Sequence, residues 1–102
     1  MDNLFAGLPD RPADEEQVDE LLAIGGARIE RIVSFGHSTG WFDQDEDEWV
    51  AVLTGEGELE FADGSRRVLT VGDSIFLPRH QRHRVVRTAA GGPTIWLAVF
   101  VS

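Results

Sequence analysis

Two residues of this chain stand out as able to hold or move a proton inside a folded domain, Glu48 and His83. Glu48 closes an acidic stretch, residues 43–48, and is followed by Trp49 and an apolar, β-branched run. A carboxylate facing inward at that point must be paired, ligated or protonated, because a lone buried charge is costly. His83 lies between Arg82 and Arg84. On a strand, an inward His83 turns both arginines outward, and an inward imidazole is either a pocket residue or a hydrogen-bonded core histidine. Around this pair, Gln44 offers an amide oxygen, and His80 stands close enough in sequence to enter the same pocket, where an acid–base role is conceivable. Arg87, if it faces in, offers a fork of donors for a carboxylate or phosphate. His37, directly after Gly36, reads as exposed.

Other chemistries are absent from the pattern. The chain has no cysteine, hence no thiolate and no disulfide. No Ser-His-Asp constellation, phosphate loop or nucleic-acid motif can be read from spacing. With 18 acidic and 9 basic residues the net charge is −9, which opposes nucleic acid and anionic membrane surfaces at long range. No apolar run approaches the ~18–20 residues of a membrane span, and the first residues lack the basic start and apolar stretch of a leader. The expectation is a soluble, cytoplasmic protein.

The elements that must position Glu48 and His83 are short strands. A length of 102 residues fits one domain. Residues 1–14, with Pro9 and Pro12, read as a loosely held N-terminal arm, and residues 15–102 as the domain. Residues 15–24 show some helical spacing but run into Gly25-Gly26, and a strand is the preferred reading. From Arg28 onward, partly alternating or apolar runs are separated by turn signals at Gly36, Gly55, Asp63-Gly64, Gly72-Asp73 and Gly91-Gly92-Pro93. Residues 58–61 alternate acidic with apolar, residues 82–88 basic with apolar, and residues 94–101 form a strongly apolar last strand. Eight or nine short strands at such intervals favour an all-β sandwich or barrel. Trp41, Phe42, Trp49, Phe76, Trp96 and Phe100 are expected in its core or at an interface.

Two stretches resemble the paired motifs of the cupin superfamily. In the first, Gly36 is followed by five residues, Phe42-Asp43-Gln44, three residues, Glu48, six residues and Gly55. The spacing, both glycines and the glutamate match the family pattern, and Phe42 and Gln44 stand where that pattern has two histidines. In the second, Gly72 is followed by five residues, Pro78-Arg79-His80, two residues, His83, three residues and Arg87. Its glycine, proline and histidine match, and His80 and Arg87 stand where the pattern has Gly and Asn.

The resemblance implies a single cupin-type β-barrel, a jelly roll or double-stranded β-helix, with a short N-terminal arm. It also implies a barrel pocket in which three histidines and one glutamate hold a divalent metal. Carried over position by position, Glu48 and His83 are ligands of the family type. Gln44 is a candidate third ligand through its oxygen, and Phe42 has no donor. Asp43, Asp45 or His80 could add one if their loops bend inward. Such donors suit Fe, Mn, Ni or Zn without separating them. Phe42, His80 and Arg87 are expected to line the pocket.

Two functions follow as expectations. One is a metal-binding cupin acting on a small organic molecule in dioxygenase- or isomerase-like chemistry. The other is a non-catalytic, metal-free cupin that binds or senses a small ligand. Catalysis is open between them. The resemblance further implies a homodimer.

Overall fold

The computed structural model describes residues 3–9 and 15–102. The described residues form eight strands and no helix: β1 (Gln17–Ile24), β2 (Ala27–Ser34), β3 (Asp47–Thr54), β4 (Glu56–Phe61), β5 (Arg66–Thr70), β6 (Ser74–Leu77), β7 (His83–Thr88) and β8 (Thr94–Val101). The strand reading of residues 15–24 therefore holds, since β1 pairs with β2 across the Gly25-Gly26 turn. No helix is long and apolar enough to cross a membrane.

All pairings are antiparallel, in a five-stranded sheet of order β1-β2-β8-β3-β6 and a three-stranded sheet of order β5-β4-β7. The two inner faces share one core of Val50, Val52, Leu59, Leu69, Leu77, Trp96, Ala98 and Phe100. These residues alternate along their strands, as a sheet wet on one face requires. The three-stranded sheet explains the two charged alternations. Glu56, Glu58 and Glu60 of β4 face outward and pair with Arg87 and Arg84 of β7 and Arg66 of β5. Leu59 of β4 and His83 of β7 face inward.

Two close approaches fix the barrel. Gly55 has φ +81°, and a Cβ there would lie 2.5 Å from Thr94 Oγ1. Gly57 leaves room for the Trp96 ring: a Cβ would lie 2.3 Å from its Cη2 and 2.4 Å from its Cζ2. Trp96 is in turn held by a hydrogen bond of 3.2 Å from its Nε1 to Ser34 Oγ.

The arm is better anchored than its composition suggests. Arg31 lies on the outer face of the five-stranded sheet, yet it is 1% exposed. Its Nη1 donates to the carbonyls of Leu4 (3.1 Å) and Ala6 (2.5 Å), and its Nε and Nη2 donate to Asp19. The buried guanidinium thus ties residues 3–9 to the sheet. The rest of the arm, residues 1–2 and 10–14, lies outside the described residues. Elsewhere on the outer face, the neighbours Trp49 and Phe76 are 42% and 58% exposed. Of the aromatic residues expected in the core or at an interface, Trp96 and Phe100 are buried in the core, while Trp41, Phe42, Trp49 and Phe76 are exposed.

Candidate functional site: a carboxyl and an imidazole in the barrel

A cavity of about 280 Å³ opens into the barrel, just below the usual ~300–1,000 Å³ of small-molecule pockets. Its walls come from both sheets and from the loop between β2 and β3. Sheet register builds the wall that carries Glu48. Glu48 of β3 stands opposite Phe100 of β8, and Phe100 stands opposite Arg28 of β2. Directly opposed residues point to the same face, so these three side chains form one inward row. Val18 and Phe42 line the cavity while remaining exposed, and they form part of its rim.

Glu48 is 7% exposed, and its Oε1 accepts a hydrogen bond of 2.9 Å from Gln44 Nε2. Burial pushes its carboxyl above the ordinary glutamate value, opposed by the Gln44 hydrogen bond and by His83. Among the described residues Oε2 has no partner, which leaves it to the cavity.

His83 is 4% exposed and begins β7, as its place between two arginines suggests. Arg82 and Arg84 turn outward and lie 4.9 and 4.8 Å from the ring centre of Trp41. The His83 Nδ1 is 2.9 Å from the Gln81 carbonyl oxygen. A carbonyl only accepts, so Nδ1 carries the hydrogen. In the neutral ring Nε2 then presents a lone pair, and no partner meets it among the described residues. The Glu48 carboxyl and the His83 Nε2 thus face one cavity, where they can hydrogen-bond a small polar group of a bound molecule.

The loop between β2 and β3 reaches the site by one backbone bridge. Phe42 N–H donates to the His83 carbonyl (2.7 Å) and His83 N–H donates to the Phe42 carbonyl (3.1 Å). The two rings lie 5.5 Å apart. Four of the six expected site residues, Phe42, Gln44, Glu48 and His83, therefore meet at one cavity.

His80 and Arg87 do not. His80 caps an exposed turn at φ +64°, with Nδ1 2.8 Å from Asp43 and Nε2 3.3 Å from Asp45. Those aspartates hold it outside the cavity and raise its pKa, chiefly through the Asp43 hydrogen bond. Arg87 faces outward because a bulge between Val85 and Arg87 breaks the alternation of β7, which would otherwise have turned it inward like His83 and Val85, and Glu56 and Glu58 hold it there.

Sequence reasoning missed the wall contributed by β1 and β2. Arg28 lies over Phe100, its guanidinium carbon 4.4 Å from the ring centre. Its Nε donates to Glu30 at 2.9 Å, and Nη1 and Nη2 donate to the two oxygens of Glu46 at 2.8 and 3.2 Å. Glu16, which also lines the cavity, accepts a hydrogen bond from Ser34 Oγ.

The donor set does not fit a four-ligand metal centre. Phe42 supplies no donor, and the Gln44 amide nitrogen is turned to Glu48. Among the described residues no three histidine, cysteine, aspartate or glutamate side chains converge as ligands.

Residues 32–100 match the family described as Cupin domain. Among solved structures, a mannose-6-phosphate isomerase candidate from Ralstonia eutropha JMP134 superimposes with a TM-score of 0.91 at 42% identity, over 98% of this chain and 95% of its own. A Cupin 2 conserved barrel domain protein from Salinispora arenicola CNS-205 follows with a TM-score of 0.71 at 25% identity, over 93% and 89%. The DMSP lyase DddQ from Ruegeria pomeroyi DSS-3 aligns at 0.74 and 19% identity, over 87% of this chain and 48% of its own, a likeness of fold alone. No curated protein matches the sequence. The match over residues 32–100, the 42% identity across nearly the whole chain and the two spaced motifs agree: this protein belongs to the cupin family.

Proposed function

We infer that the barrel binds a small, mainly apolar organic molecule through Glu48 and His83, without a metal between protein and ligand. The observation that carries this reading is the donor set around the two polar groups. Glu48 is buried and partnered by the Gln44 amide nitrogen instead of a cation, and Phe42 has no donor. Among the described residues no third histidine, cysteine, aspartate or glutamate joins Glu48 and His83 as a ligand. Beside Glu48, His83 offers one fixed acceptor. A carboxyl and an imidazole in an apolar cavity walled by Val50, Leu59, Leu77 and Trp96 suit a compact molecule with one polar group.

The description of the Ralstonia protein suggests a phosphorylated sugar as a substrate for that protein. The cavity here suits one poorly. Among the described residues, Arg28 is the one lysine or arginine that lines it, and Glu30 and Glu46 already pair with it.

Metal analysis together with ligand titration tests the reading. Protein purified without chelator is expected to hold no stoichiometric metal and to melt unchanged on adding Zn²⁺ or Mn²⁺. Small alcohols and ketones such as cyclohexanol and cyclohexanone are expected to raise the melting temperature, less so in Glu48→Ala and His83→Ala. Stoichiometric metal that both variants lose would refute the reading and restore the metal-dependent one.

A further inference from the structure

We propose that the barrel pocket selects a small organic cation, a protonated amine, over neutral and anionic molecules of the same shape. This rests on the small-molecule reading above and names the ligand's charge class.

The ionisable groups on the cavity walls, among the described residues, are Glu16, Glu30, Glu48, Arg28 and His83. Glu46 holds the far side of Arg28. Arg28 therefore carries one positive charge against two carboxylates, and the cluster is net negative before Glu16 is counted. Glu30 gives Oε2 to Arg28, so Oε1 remains for another donor. Glu20 of β1 stands directly opposite Glu30 of β2. Like charges in that position destabilise a sheet, and a cation in the adjacent cavity would relieve them.

Two further observations point to a ligand of this kind. The first is the wall's own arrangement of Arg28. Its guanidinium lies 4.4 Å over the Phe100 ring with carboxylates on both flanks, so the barrel already holds one organic cation by aromatic face and carboxylate together. The second is that the same elements recur in the open part of the cavity. Trp96 and Phe42 present aromatic surface, Glu30 and Glu16 present carboxylates, and the buried His83 and Glu48 present an unpartnered acceptor nitrogen and carboxyl oxygen. A primary ammonium group brings three N–H donors to such acceptors and sits favourably beside an aromatic face. An anion would have to displace Glu46 from Arg28.

Three probes of similar shape test this: benzylamine, benzyl alcohol and benzoate, titrated by calorimetry at pH 7 and low salt. Benzylamine is expected to bind about tenfold more tightly than benzyl alcohol, within the range that cation–π and carboxylate contacts supply, and benzoate most weakly. The amine's advantage should shrink in Glu30→Gln, which keeps an acceptor for Arg28. It should persist in Glu60→Gln, on the outer face. Equal affinity for amine and alcohol would overturn the charge class and leave the pocket reading standing. Benzoate binding best would overturn it in favour of Arg28 as an anion site. Failure of all three probes to bind would overturn both.

Discussion

Gly57→Ala is the sharpest test of how the barrel is packed. The added Cβ would lie 2.3 and 2.4 Å from two carbons of the Trp96 ring, where carbon pairs settle at ~3.5–4.0 Å. The ring must therefore retreat by more than ~1 Å. It has little room, being 4% exposed and tethered to Ser34. Overpacking of a core costs ~1–3 kcal/mol, and losing the Trp96–Ser34 hydrogen bond adds ~1 kcal/mol. The expected destabilisation is ~2–4 kcal/mol, a fall in Tm of order 10–20 °C for a domain of this size. Urea unfolding measures it, and a double-mutant cycle with Trp96→Phe isolates the contact, because the shorter ring withdraws the atoms concerned. Gly57→Ala should cost clearly less in the Trp96→Phe background. A cost below ~0.5 kcal/mol, or the same cost in both backgrounds, would refute the contact as the reason for glycine there.

Three more predictions concern the site. For Glu48→Gln, wild type and variant should be alike below the ordinary glutamate range, where folded and unfolded chains are both protonated. As pH rises through that range the wild type loses stability until its raised pKa is passed, by about 1.4 kcal/mol for every pH unit that separates the folded and unfolded pKa values, while the variant does not. Melting curves at about pH 4 and pH 8 bracket the effect, and a gap that grows in the wild type's favour would mean an ionised, paired Glu48. His80→Asn keeps a residue type that tolerates positive φ and removes the contacts to Asp43 and Asp45. Because the His80 pKa is raised, its stabilisation should be present below about pH 6.5 and fade as pH rises through the raised value, so wild type and variant should converge in alkaline melts. Phe42→His combined with Gln44→His should bring Zn²⁺ affinity, by chelator competition, more than about a hundredfold above wild type, since even outer partners of metal ligands are worth ~10–100-fold. An unchanged affinity would mean that the two positions do not converge with Glu48 and His83.

The legible part of this protein was its alternation. The alternation of residues 58–61 and of residues 82–88 marked two strands, and the arginines on either side of His83 pointed to its inward place; that the acidic and basic rows pair on one outer face is shown by the structure. Glu48 was legible because a charge beside an apolar run leaves few physical choices. The wall from β2 was not. Residues 28–32 put charged residues on both faces: Arg28 and Glu30 inward, Arg31 outward but buried beneath residues 3–9. Period-two reasoning assigns charge to water, and here the two arginines are held by partners distant in sequence, Arg28 by Glu46 and Arg31 by Asp19 and the carbonyls of Leu4 and Ala6. His80 and Arg87 misled for a related reason. Their motif positions belong to the family pattern, but local carboxylates that the pattern does not contain hold both outside.

Sheet register also gives the cavity a direction. Leu77, Glu48, Phe100 and Arg28 share one row across β6, β3, β8 and β2. Two residues along, the row is Ile75, Val50, Ala98 and Glu30, with Glu20 beyond it. Two further along, it is Val52, Trp96, Ile32 and Val18. Along these rows charge thins, and the last row is apolar apart from the Trp96 N–H, which Ser34 takes; the nearby Glu16 carboxylate is in turn held by the Ser34 hydroxyl. A ligand that satisfies this gradient has a polar head among Glu48, Glu30 and His83 and an apolar body against Trp96 and Ile32. The reverse orientation would strand its head in the apolar row, at the cost of an unpaired buried polar group. The substitutions at Phe42 and Gln44 fit the same design. An aromatic face and a neutral amide replace two imidazoles at the polar end, leaving room beside a carboxyl that a hydrogen bond, and not a cation, holds in place.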